Sequence, residues 1–168
     1  MAAVRRVYVP VSMKQLHDLR DDRRFDAREL IGFAVTDELR ASGTSGGDEE
    51  DYEYRALQQA ASQAAGDGGR VVCAADLESH QVQVAMSGAD SAHRTHDARV
   101  RIGGGLDLRR VMSLHVLDPV NERDELADLD LSWFDVTELA NLIDVLGEPG
   151  DPDDPNRPEG AFGSTVPR

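Results

Sequence analysis

The sequence predicts a single α+β domain over residues 1–147, with a mixed sheet of about five to seven strands packed by helices and a disordered acidic tail at 148–168. Three observations lead there. At both ends of the domain a strand pattern feeds directly into a capped helix pattern. Between them the apolar period changes to two and holds through several strands in succession. From Glu148 onward, "EPGDPDDPNRPEGAFGSTVPR" brings five prolines and almost nothing to pack. A doubly wound parallel sheet is the alternative architecture.

The elements follow in order. In "RRVYVPVSMKQLHDL", Val7, Val9 and Val11 alternate with Arg6, Tyr8 and Pro10, as in a strand with one apolar and one mixed face. Pro10 stands near the strand's end, where its missing N–H costs least. Ser12 and Gln15 have the spacing of a capping box, flanked by Val11 and Leu16 as a hydrophobic staple, so a short helix runs over about residues 13–20. The charged stretch "RDDRRFDARE" ends it. "LIGFAVT" reads as a strand, and a short helix from Asp37 stops at Gly43. "SGTSGG" is a flexible connector. Asp48 caps a long helix over roughly 49–65, its acidic first turn suited to the helix dipole, with Tyr54, Leu57, Ala61 and Ala64 as the expected buried stripe.

"RVVCAAD" has the near-continuous apolar run of a central strand covered on both faces. "QVQVAM" alternates as a half-exposed strand, "ARVRI" turns Arg99 and Arg101 outward, and "RRVMSLHVLD" is another apolar strand. Asn121 can cap a short acidic helix, "ERDELAD". "LSWFD" is a short strand. Asp135 and Glu138 then form a second capping box, stapled by Phe134 and Leu139. Leu139, Leu142, Ile143 and Leu146 mark the buried face of the last helix, which Gly147 and Pro149 end.

Composition excludes several function classes. Acids outnumber bases 32 to 18, for a formal charge of -14, so a basic nucleic-acid footprint is absent and anionic membranes are disfavoured. No run approaches the ~20 apolar residues that span a bilayer, and no apolar run of signal-peptide length follows the N-terminus, which predicts a cytoplasmic protein. Cys73 is alone, within "VVCAA", and reads as a small buried hydrophobe. Lys14 stands beside seventeen arginines, the mark of a GC-rich genome.

Candidate sites are few. Gly103, Gly104 and Gly105 lead into another strand rather than a helix, so a turn is expected there, not a phosphate loop. His93 and His96, with His80 and Asp97 nearby, lie in a loop with no helix to fix them as metal ligands, and no metal or cofactor is predicted. Asp76 and Asp118 each end a buried strand. Parallel, adjacent strands would bring both carboxylates to one sheet edge, where a small hydrolase or nucleotide-handling enzyme could use them, with or without Mg²⁺. His115, three residues before Asp118, faces the other way. As structural residues, both aspartates would cap turns. Trp133, beside Phe134, could anchor a partner, although burial is the simpler expectation for a chain with eight aromatics.

"RVYVP", "FAVT", "RVVCAAD", "LHVLD" and "LSWFDVTEL", in that order, resemble a family of small actinobacterial proteins classed as a domain of unknown function. The resemblance spans about residues 5–146. The chain departs from it in the loop 87–105 and in carrying Leu117 where a second acid is expected after the histidine, which speaks against an acidic metal site. The resemblance implies no activity and transfers no catalytic residue.

The leading expectation is therefore a non-enzymatic module that binds a cytosolic protein or a second copy of itself. Residues 1–24 carry six bases against three acids, whereas 48–53 and 118–130 are strongly acidic, a segregation that can steer a partner. Packing under a helix is the simpler expectation for Tyr8 and Pro10; if that face is open instead, Arg6, Tyr8 and Pro10 form a compact interaction patch.

Overall fold

A computed structural model describes residues 3–42, 47–84, 98–118 and 128–147 of the chain. Strand β1 (Val4–Val11) runs into helix α1 (Met13–Asp21) through the expected capping box. Ser12 Oγ accepts the Gln15 N–H at 3.2 Å and Gln15 Oε1 accepts the Ser12 N–H at 2.9 Å. Val11 and Leu16 are buried in one core beside it. The charged run that follows hides a two-residue strand, β2 (Arg24–Phe25), and β3 (Glu29–Phe33) comes next. Helix α2 (Asp37–Ser42) precedes α3 (Glu49–Gly66), which Asp48 caps as expected.

Strand β4 (Val71–Glu78) is the central apolar strand, with Cys73 fully buried at its middle. Then come β5 (Val82–Val84) and β6 (Arg99–Gly103), whose Val100 and Ile102 are buried while Arg101 is exposed. Gly103–Gly105 turns the chain from β6 to β7 (Leu106–Asp107), as expected of a glycine turn between strands. Gly104 takes a positive φ of 82°, and a Cβ on Gly105 would lie 1.8 Å from the Phe25 carbonyl oxygen, so β2 and β7 pair only over a glycine. Strands β8 (Val111–Leu117) and β9 (Leu131–Asp135) follow. A 3₁₀ turn at Val136–Glu138 then leads into α4 (Leu139–Leu146).

The main sheet has seven strands in the order β5-β6-β3-β1-β4-β8-β9. The α+β class and the strand number match expectation, but the mixed sheet does not: among the described residues every ladder is antiparallel. Pro10 lies one residue from the end of β1, opposite Val72, and the recorded β1–β3 ladder is confined to Tyr8 and Phe33.

Two cores flank the sheet. On one face Val7, Val9, Cys73, Leu114 and Val116 meet α1, α4 and the small β2–β7 sheet. On the other, Tyr8, Phe33, Val72 and Ala74 meet α3 and Leu39 of α2. Helix α3 buries Ala56, Ala60, Ala61 and Ala64; the expected stripe is corrected at Tyr54, which is 47% exposed. Alanines let the helix axis settle close to the sheet, and a tyrosine on that line would hold it off.

Candidate functional site

The ladders place Arg6, Tyr8 and Pro10 of β1 opposite Asp76, Ala74 and Val72 of β4. Ala74 and Val72 in turn lie opposite Ser113 and His115 of β8, and His115 lies opposite Trp133 of β9. Directly opposed residues share a face, so all of these point to the α3 side of the sheet. A bulge between Ala74 and Ala75 inserts Met112 and turns Val111 to the other core. Helix α3 covers β3, β1 and β4 on this side. Its far border is tied to the segment before β9: Gln58 accepts the Leu129 N–H at 2.8 Å and donates to the Leu129 carbonyl at 3.0 Å, and the Tyr54 hydroxyl donates to Asp128 at 3.1 Å. Beyond that border Trp133 stands 61% exposed.

Polar groups line the border. Arg6 donates through Nε to Asp76 Oδ1 at 2.5 Å and through Nη2 to Oδ2 at 3.2 Å, so both carboxylate oxygens are engaged. This pairing raises the Arg6 pKa further above its ordinary value, against the opposing cost of burial. Burial pushes the Tyr8 phenol up to about 12, with Glu53 of α3 adding to the effect. His115 meets the Tyr8 ring edge-on with centroids 6.4 Å apart, and its Nε2 lies 3.1 Å from the Ser113 hydroxyl. Burial first, then the Arg6 guanidinium, lowers the His115 pKa below its ordinary 6.5, so the imidazole is neutral at pH 7. Ser113 itself is buried, which leaves its hydroxyl a positioning contact for the imidazole rather than an open nucleophile.

The expected site residues separate into those this face collects and those it does not. Arg6, Tyr8, Pro10, Asp76 and Trp133 are collected, and His115 joins them. Tyr8 is only 6% exposed beneath α3, the helix packing expected of it, while Arg6 and Pro10 beside it stay partly exposed. Trp133 is corrected in the opposite sense, from buried to exposed, while Phe134 turns into the other core as the staple requires. Asp76 and Asp118 do not share an edge. Their strands are adjacent but antiparallel, and Asp118 continues the register beyond Val116, which faces Val71. The two carboxylates therefore lie at opposite ends of the sheet, roughly 20 Å apart along the strands. Asp118 accepts a hydrogen bond from the Ser132 hydroxyl at 2.9 Å, a turn-anchoring role, and the two-aspartate enzyme is withdrawn.

Elsewhere, a cavity of about 390 Å³ lies against the glycine turn, but its charges answer one another. Glu78 pairs with Arg110 and with His80, each at 3.3 Å, and Asp107 pairs with Arg109 at 2.9 Å. The Arg109 side chain and backbone N–H hold Asp107 down at about 2. His93, His96 and Asp97 lie outside the described residues, as do the connector at 43–46, the helix expected after Asn121 and the tail. Among the described residues no group of three or more His, Cys, Asp or Glu could hold a metal, and no helix is long and apolar enough to cross a membrane.

The sequence sets His115 only against Asp118 and is silent on Ser113, because their neighbours come from β1 and β9, far away in the chain. Strand alternation alone puts the two on one face, and that was the available signal.

Fold and site define a one-domain α+β protein whose antiparallel sheet ends in an aromatic-bearing edge that α3 leaves uncovered. The chain belongs to the Family of unknown function (DUF6912), which matches residues 5–143 and so takes in every motif from "RVYVP" to "LSWFDVTEL". No curated protein and no solved structure matches it.

Proposed function

We propose that this protein is a non-enzymatic interaction module of the cytoplasm, and that it engages another protein through the β8–β9 end of the α3-side face. The observation that carries this reading is the 61% exposure of Trp133 at the middle of an outermost strand. A single large aromatic left uncovered at a sheet edge exposes apolar area that a partner can bury, and tryptophan dominates interface energetics when it is buried in this way. The polar groups elsewhere on this face support recognition over chemistry. Asp76 is engaged by Arg6, His115 is neutral, and Ser113 is sealed.

The test is affinity capture from the native cytosol with three baits: the wild-type chain, Trp133→Ala, and Val145→Ala. Val145 is 81% exposed on α4 and controls for loss of any surface hydrophobe. Proteins held by wild type and by Val145→Ala but lost with Trp133→Ala are expected, and the purified pair should then bind in solution. Identical sets from all three baits would remove Trp133 as the anchor.

A further inference from the structure

The hydrogen-bond parity of the last two strands says more about what can dock there. Asp118 donates its N–H to the Asp130 carbonyl at 3.1 Å, and Leu117 donates its N–H to the Arg70 carbonyl at 2.8 Å. Backbone groups alternate in direction along an antiparallel strand. The even-numbered residues of β8 therefore bond to β9, through Asp130, Ser132 and Phe134, and the odd-numbered ones bond to β4. Leu131, Trp133 and Asp135 must then aim their N–H and C=O groups away from β8, past the last strand of the sheet. One of these donors is already used: the Asp135 N–H goes to Glu138 Oε2 at 2.8 Å, within the capping box. Among the described residues, what remains is a short open edge centred on Trp133, which offers both its backbone pair and its exposed indole.

The edge strand and the helix after it carry charge of one sign. Residues 128–147 hold Asp128, Asp130, Asp135, Glu138 and Asp144, and no lysine, arginine or histidine. We infer that the edge of β9 takes an extended, basic segment of the partner protein as an additional strand, with an arginine or lysine seated on the Trp133 indole. This rests on the interaction-module reading and specifies the occupant. Main-chain bonds to Leu131 and Trp133 supply the pairing, and the flanking acids together with a cation–π contact supply the selectivity. A second copy of this chain is the poorer occupant, since each copy carries a net charge of -14 and β9 would meet its own acids.

The experiment uses the full chain and capped synthetic peptides, with the emission of its sole tryptophan, Trp133, as the readout. An Arg-Val-Arg-Val-Arg peptide should shift that emission saturably, and added salt should weaken the effect. The same peptide N-methylated at alternate residues, so that it cannot pair along one side, should bind about tenfold more weakly in one methylation frame only. A Glu-Val-Glu-Val-Glu peptide should not bind. For Trp133→Ala, titration calorimetry should give at least about a tenfold loss of affinity for the Arg-Val peptide. Equal binding of the N-methylated frames, or of the acidic peptide, overturns strand addition by a basic segment. So does sedimentation showing a dimer that Trp133→Ala dissolves. If capture from cytosol depends on Trp133 but the Arg-Val peptide does not bind, the occupant is wrong and the module reading stands. If capture does not depend on Trp133, the module reading itself fails.

Discussion

Tyr8 and Trp133 stand on the same face of the same sheet, three strands apart, with His115 on the strand between β4 and β9 touching one and lying opposite the other. One is 6% exposed and the other 61%. The strands beneath them do not differ in kind; the cover does. Helix α3 presents alanines to β1 and β4 and settles on Tyr8, whereas its larger residues at the border, Tyr54 and Gln58, reach to Asp128 and Leu129 and stop the helix short of Trp133. Half of this face is thus core and half is surface. The boundary is a row of polar side chains rather than a change in the sheet.

Substitutions on the two sides of that boundary should give very different effects. Tyr8→Ala empties the space under α3 and should cost about 3–5 kcal/mol in urea unfolding. A cost below 1 kcal/mol would mean that the helix does not rest on it. Ala61→Leu pushes the helix off the sheet and should cost ~1–3 kcal/mol, read in the same way. On the far side of the boundary, Asp135→Ala removes the side chain that accepts the Thr137 N–H at 2.8 Å, and should cost about 1 kcal/mol of thermal stability.

His115 bridges the two halves and adds a pH dependence. Its folded pKa lies below its unfolded value, so the unfolded chain takes up the proton first as pH falls. Its contribution is complete above about pH 6.5 and is lost as pH drops through that value towards the folded one. His115→Gln should therefore flatten the fall in urea midpoint between about pH 7 and pH 5, and an unchanged slope would show that His115 is as well hydrated folded as unfolded. Smallest of all, Trp133→Ala should alter stability by no more than about 0.5 kcal/mol, which separates an anchor for partners from a core residue.

What could be read in the sequence was local. The boxes Ser12–Gln15 and Asp135–Glu138 lie within four residues of chain, and the alternation in β1 and the face of α4 within eight. What could not be read was set by distant pairing. Strand β2 is two residues inside a charged run and exists because β7 lies against it. The directions of β4 and β8 decide whether Asp76 and Asp118 meet, and apolar runs are silent about direction. The buried line of α3 was misread for another reason: its alanines are weak hydrophobic signals beside Tyr54 and Leu57, although small size is what the contact needs. The exposure of Trp133 depends on where α3 stops, at the Tyr54–Asp128 contact, whose partners are 74 residues apart in the chain.

Cys73 gives the chain a clock. It is fully buried at the middle of the central strand, and burial pushes its thiol up to about 12, so the native residue lacks both access and the reactive thiolate. A thiol reagent can modify the protein only while β4 is exposed, and with a single cysteine each modification records one such opening. Labelling followed over hours in native buffer would count how often the middle of the sheet comes apart, molecule by molecule, with no denaturant and no engineered probe.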